Sequence, residues 1–213
     1  MASASDASPS AAELAALGEP RPLEPRDVEP AARAFARAFA WHEPWGEWAM
    51  PDPSDREERI YERFAADMAG RFLEHGECWT IGGVCATLWI PPGVPALAER
   101  RSEGDYAAFG DRAAALRAGD ELISSLKPRD EHWFLDTIAT APEYRRRGLG
   151  ARLLDHDLAI RDAAGDACAL DTHTPDNLAF YGRRGFEVIG EGELGPGLGV
   201  YVMYRPPQPR RNR

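Results

Sequence analysis

Residues 133–160 read WFLDTIATAPEYRRRGLGARLLDHDLAI, and the order of features within them decides the fold. Trp133 to Thr140 is an apolar, β-branched run and predicts a strand. Gly150 to Ala164 has helical spacing and is closed by Gly165. Between them stands Arg145-Arg146-Arg147-Gly148-Leu149-Gly150-Ala151. A strand passing through a glycine-rich turn into a helix N-terminus is a physical recipe for holding phosphate: successive backbone N–H groups point into the turn, and the helix end adds partial positive charge. Gly148 and Gly150, lacking Cβ, let a diphosphate approach the main chain, and arginines charge the rim. The same residues also fit a helix start with solvated arginines. A Walker loop needs a lysine that this turn lacks, and the dinucleotide fingerprint needs a third glycine where Leu153 stands.

Outward from this stretch the elements alternate. Pro25 to Trp41 places Val28, Ala32, Phe35, Ala36 and Phe39 at helical spacing. Ser54 as N-cap and Glu57 three residues on predict a capping box for a helix through Glu74. Glu77 to Ile90 predicts a hairpin around Gly82-Gly83, stopped by Pro91-Pro92-Gly93. Two short helices are expected over 95–118 and 119–126. Downstream come a strand over 167–172, a helix over 177–184, and strands over 186–190 and 200–205 separated by the glycine-rich GEGELGPGLG. Crossovers mixed with hairpins predict an α/β (α+β) domain with a central mixed sheet. Residues 1–20 and 207–213 read as flexible tails around a single domain, 21–206.

Composition narrows the partners. A net charge of −10 disfavours bulk nucleic-acid binding and fits a cationic or amine-bearing partner, although an acidic surface also serves solubility alone. No apolar run approaches the roughly 20 residues of a membrane span, so no membrane partner is expected. The first residues lack the basic and apolar regions of a secretory signal. Cys78, Cys85 and Cys168 form neither a CxxC pair nor a zinc spacing, which predicts reduced thiols, no metal and a cytoplasmic chain.

A second motif lies downstream of the 167–172 strand, in HTPDNLAFYGRRGFEVIGE (173–191). Asn177-Leu178-Ala179-Phe180-Tyr181 and Gly185-Phe186, following the Arg145–Gly150 loop in the same order, resemble the paired signatures of the GNAT superfamily of acyl-CoA-dependent N-acyltransferases. The resemblance spans about 22–205 and is strongest over 133–205. Lys127-Pro128, Trp133-Phe134-Leu135, the LDT and NLAFY segments and Val202-Met203-Tyr204-Arg205 are similar to the puromycin N-acetyltransferase-like group within it. The resemblance implies the GNAT fold, a twisted mixed sheet flanked by helices on both faces, in a monomer or homodimer. It implies acetyl-CoA as co-substrate, no metal, and acetyl transfer to the primary amine of a small molecule, with antibiotics and other secondary metabolites among the acceptors. A protein or peptide N-acetyltransferase, and a catalytically silent acyl-CoA-binding protein, remain the alternatives.

The resemblance also implies roles. Arg145, Arg146, Arg147, Gly148, Leu149, Gly150 and Ala151 would cradle the CoA diphosphate. Backbone groups of Ile138, Ala139 and Thr140 would contact the pantetheine, with the Ile138 N–H as oxyanion donor. Asn177 would sit near the pantetheine or cap its helix. Tyr181 would protonate the departing thiolate; otherwise it is a core tyrosine packed on Phe180 and Phe186. From the residues themselves, Asp136 is a candidate base, because a carboxylate in an apolar strand must face a cleft or be paired. Asp171 and His173 could reach the same cleft, and water could relay the proton instead. For the acceptor, Trp45 and Glu43 in the tryptophan-rich segment 41–55 could hold a cationic amine, or the segment could simply cover the core. Tyr106 and Phe109 carry the same two readings.

Overall fold

The computed structural model describes residues 8–97, 101 and 103–208. Among them the strands are β1 (Arg21–Pro22), β2 (Glu77–Ile81), β3 (Cys85–Ile90), β4 (Trp133–Thr140), β5 (Cys168–Thr172), β6 (Glu187–Gly195) and β7 (Leu198–Arg205). They form one seven-stranded sheet in the order β1-β2-β3-β4-β5-β7-β6. Only the central β4–β5 pair is parallel, with the crossover helix between its strands; the other pairs are antiparallel. The helices are α1 (Ala11–Ala16), α2 (Val28–His42), α3 (Pro44–Ala49), α4 (Arg56–Asp67), α5 (Leu73–His75), α6 (Glu103–Ala107), α7 (Ala113–Leu126), α8 (Leu149–Ala164) and α9 (Asp176–Gly182).

Strand alternation divides the core between two faces. Ala86, Leu88, Ala139, Val200 and Val202 turn toward α2, α4 and α7, where they meet Phe35, Ile60, Met68 and Ile123. Trp89, Leu135, Leu170 and Met203 turn the other way, toward Leu154 and Leu158 of α8 and Tyr181 of α9. The mixed sheet with helices on both faces is therefore the one expected. The α8 helix is tied to the sheet by a buried carboxylate: Asp157 accepts hydrogen bonds from Thr87 Oγ1 at 2.6 Å and Trp89 Nε1 at 2.8 Å.

Several local expectations are corrected. Residues 11–16, expected within a tail, form α1, because Ser10 and Glu13 close a reciprocal capping box. Leu17 then packs with Ile81 and Leu153. The box expected at Ser54 does not form: the Ser54 N–H goes back to Asp52 Oδ1 at 2.9 Å, and α4 starts at Arg56 behind Asp55. A π-helical turn over Met68–Phe72 follows α4 and buries Met68 and Phe72. The break expected near residue 118 moves upstream, to a 3₁₀ turn over Gly110–Arg112, and α7 runs unbroken through Gly119.

The glycine-rich 190–199 segment is the main departure. It was expected as a loop, yet β6 and β7 continue through it as a hairpin turning at Pro196-Gly197, with Gly197 at φ +81°. Gly190, Gly192 and Gly195 are packing positions. A Cβ at Gly190 would meet Leu126 Cδ2 at 2.8 Å, one at Gly192 would meet Leu122 Cδ2 at 2.6 Å, and one at Gly195 would meet the Trp48 ring at 2.5 Å. Bare backbone here lets α7 and Trp48 lie directly on β6.

Candidate active site

One extra residue opens the sheet at its centre. In the β3–β4 register Leu88 faces Thr137 and Trp89 faces Leu135, so Asp136 is a β-bulge without a partner in β3. Before the bulge β4 pairs with β5, from Trp133 opposite Cys168 to Leu135 opposite Leu170, and there the pairing ends. Beyond it, the Ala141 N–H bonds to the Val84 carbonyl at 2.7 Å. Antiparallel alternation then sends the main-chain groups of Ala139 and Thr137 toward β3, and those of Ile138 and Thr140 into the gap beside β5.

Two cavities meet at this gap. A channel of about 340 Å³ runs from Arg145, Arg146 and the start of α8 past Thr140 to Tyr181. A more enclosed cavity of about 100 Å³ lies among α2, α4, α7 and the ends of β4 and β5, lined by Trp45, Phe64, Asp136, Asp171 and His173 among others. Phe39, Glu43, Ile138, Asn177 and Tyr181 line both.

The start of α8 has the form of an anion cradle. Gly148 is its N-cap at φ +79°, a left-handed conformation that glycine adopts without steric cost. Arg146 also has positive φ, at 59°, which is strained for a residue with a Cβ. The Arg152 N–H bonds back to the Gly148 carbonyl at 2.9 Å, so the N–H groups of Leu149, Gly150 and Ala151 occupy the open helix end. Arg145 and Arg146 border the channel and also an outer hollow beside Pro142 and Glu143, whereas Arg147 borders the outer hollow and not the channel. Donors, dipole and rim charge together fit the diphosphate of CoA.

Tyr181 is a packed core residue that also faces the cavities. Its ring packs edge-on to Phe180 and Phe186, with centroids at 5.1 and 6.0 Å, and it also lines both cavities. Burial pushes its phenol pKa up, the carboxylates of Glu43 and Asp171 push it further, and Arg184 opposes them. The hydroxyl therefore keeps its proton at neutral pH, as a general acid must. Asn177 does not cap α9: it lies inside the helix and donates from Nδ2 to Thr172 Oγ1 at 3.2 Å.

The carboxylates converge from separate elements. Glu43 sits at the corner between α2 and α3 and accepts a hydrogen bond from Thr174 Oγ1 at 2.6 Å. Burial raises its pKa, against the Thr174 bond and the charge of Arg145. Asp136 accepts a bond from Thr137 Oγ1 at 2.9 Å. Asp171 lies 3.7 Å from His173 Nε2, while His173 Nδ1 faces the Gly199 carbonyl at 3.1 Å. Trp45 is buried, edge-on to Phe39 and Phe109. Trp41 stands half exposed outside the cavity, bonded to Glu57. Tyr106 and Phe109 are core residues, with the Tyr106 hydroxyl on Asp120 at 2.9 Å.

The wall formed by the buried Arg101–Asp120 pair and Arg63 was missed in the sequence. One signal was present: Asp120 interrupts the apolar stripe of Leu116 and Ile123 on α7. The three thiols are buried, which raises Cys78 and Cys168 to about 12 and Cys85 to about 11, so none is a ready nucleophile. Among the described residues no cluster of three or more His, Cys, Asp or Glu could hold a metal ion, and no helix is long and apolar enough to cross a membrane.

Known proteins share this fold. Residues 113–188, from α7 through the cradle to the start of β6, match the acetyltransferase (GNAT) domain family. The fold is similar to that of an acetyltransferase from Corynebacterium glutamicum described as histone acetyltransferase HPA2 and related (TM-score 0.65, 22% identity, 89% of this chain and 96% of that one). It is also similar to PaiA N-acetyltransferase from Thermoplasma acidophilum in complex with coenzyme A (TM-score 0.53, 14% identity, 88% and 98%). A third similar fold is the C-terminal condensation domain of Ebony in complex with beta-alanyl-dopamine (TM-score 0.61, 10% identity, 88% and 98%). The segment that matches the GNAT acetyltransferase domain family contains the cradle, the parallel strand pair and the Asn177–Tyr181 helix.

Proposed function

We propose that the protein is an acetyl-CoA-dependent N-acetyltransferase acting on the primary amine of a small molecule. The observation that carries this reading is the junction at Ile138 and Tyr181, where a cradle-ended channel meets an enclosed, carboxylate-lined cavity. Acetyl-CoA, when bound, would supply the thioester, with its diphosphate on Gly148–Ala151 and its pantetheine along the open edge of β4. The Ile138 N–H, directed into the gap, is preplaced for the carbonyl oxygen as it gains charge. Tyr181 holds a proton for the departing sulfur.

The size and polarity of the second cavity support a small acceptor. It measures about 100 Å³, somewhat less than the roughly 150 Å³ of an engineered cavity that holds benzene. It therefore suits one compact amine-bearing end, walled by aromatic rings and carboxylates that suit an ammonium ion. The rest of a larger antibiotic or other secondary metabolite would extend outside it.

Release of free CoA from acetyl-CoA, measured across a panel of aminated small molecules and a panel of peptides, tests this. Turnover of small amines with peptides unmodified by mass spectrometry is expected. Peptide acetylation alone would transfer the reading to a protein substrate. Calorimetric binding of CoA without turnover of any amine would favour a silent binding protein, and no affinity for CoA would end the acetyltransferase reading.

A further inference from the structure

We propose that Glu43 is the general base, taking a proton from an acceptor that arrives as an ammonium ion. This rests on the N-acetyltransferase reading and assigns within it the group that the sequence left open. Attack requires the amine nitrogen within about 3–3.5 Å of the thioester carbon, and that carbon must lie where the two cavities join. Among the described residues that line both cavities, Glu43 is the only carboxylate. Asp136 and Asp171 line the acceptor cavity alone.

Local structure fixes this side chain. Glu43 is extended, at φ −124° and ψ 130°, between the end of α2 and Pro44 at the first position of α3. Pro44 has a fixed φ suited to a helix start, which sets the corner. The Thr174 hydroxyl holds Oε2 and leaves Oε1 for an incoming N–H. Glu43 and Tyr181 thus stand on opposite elements, α2–α3 and α9, at one junction.

The surrounding charges come from every neighbouring element. Arg145, from the cradle, favours the carboxylate, and burial disfavours it more strongly. Asp136 of β4, Asp171 of β5 and the Tyr181 phenol add negative potential if ionised. His42 on the same corner is held toward its neutral form by burial and by Arg145 and Arg37. His173 beyond β5, Arg63 on α4 and the internally paired Arg101–Asp120 close the far side. A carboxylate whose pKa is raised by burial is a better proton acceptor than a solvated one.

The proton count closes. Glu43 takes one proton from the ammonium, and the freed lone pair forms the N–C bond as the carbonyl electrons move to oxygen. Collapse breaks the C–S bond, and sulfur takes the Tyr181 phenolic proton. The remaining excess proton on nitrogen restores the phenol, and Glu43 releases its proton to solvent. The sum is ammonium plus thioester giving amide, thiol and one proton.

The test uses full-length protein, acetyl-CoA and two matched acceptors: 2-phenylethylamine, or whichever amine the small-molecule panel selects, and its β,β-difluoro analogue, which is largely neutral at pH 7. Glu43→Gln should lower kcat for the protonated amine by about a hundredfold or more. It should lower kcat for the fluorinated amine far less, and it should abolish the acid limb of the wild-type kcat/KM profile. Calorimetry with CoA and circular dichroism verify that the variant folds and binds. Equal losses for both amines, or a retained acid limb, overturn the proposal. So does Asp136→Asn reproducing the split between the amines while Glu43→Gln does not. If wild type binds CoA and acetylates no amine, the N-acetyltransferase reading itself fails and this assignment with it.

Discussion

At the scale of single residues, the proposed acid role of Tyr181 is separable from its packing. Tyr181→Phe keeps the ring against Phe180 and Phe186 and removes only the hydroxyl, so CoA affinity by calorimetry should persist. Turnover should fall by about 10²–10⁴-fold, the usual worth of a positioned general acid. Unchanged turnover with chemistry rate-limiting would remove Tyr181 from that role. The cradle residues were legible in the sequence because their physics is local: Gly148 and the exposed N–H groups follow from one turn. Glu43 was read as an acceptor contact only. Nothing near residue 43 in the chain marks its approach to Thr174, 131 positions away.

At the scale of elements, the α2–α3 corner depends on close backbone contact. A Cβ at Gly46 would lie 1.9 Å from the Phe39 carbonyl oxygen and 2.8 Å from its carbon. Backbone yields less readily than a side-chain tip, so Gly46→Ala should displace α3 and cost about 1–3 kcal/mol, the range for overpacking. A lower urea midpoint with an unchanged slope is expected, together with reduced turnover from the shifted Glu43. An unaltered midpoint would show that the corner relaxes freely. Element type was largely legible from periodicity, but helix starts and breaks were not. Ser54 lost its N–H to a local Asp52 turn, and the glycines of β6 read as a loop. The reason for those glycines lies on α7 and Trp48, distant in sequence.

At the scale of the whole molecule, burial acts on several carboxyls in the same direction. Glu43, Asp67 and Asp157 all have raised pKa values, each with burial as the largest cause. A raised folded pKa favours the folded state most at acid pH, and the contribution is lost as pH rises through that value. Asp27 works in reverse: its bidentate bond to Arg21, at 2.6 Å to each oxygen, lowers its pKa. Its contribution is present above the unfolded value and lost as pH falls through the folded one. The net charge of −10 adds self-repulsion at neutral pH. The Tm should therefore rise from neutral to mildly acid pH and fall again below the ordinary carboxylate range. A flat or falling Tm over the first interval would contradict this balance. Apart from the net charge, none of it was legible in composition, because the burial of Glu43, Asp67 and Asp157 and the Arg21–Asp27 pair arise only in the fold.

The bulge at Asp136 makes the reaction gap an error of count, comparable to a dislocation in a crystal. Substituting Asp136 changes a side chain, whereas deleting it would remove the offset itself. With the count restored, Leu135 and Thr137 would become neighbours opposite Trp89 and Leu88, every later residue on β4 would keep its present facing, and pairing with β5 could continue past Leu170. The sheet would gain ladder bonds as it lost its opening. The protein thus holds its centre one residue short of complete pairing, and both cavities open onto the gap this leaves.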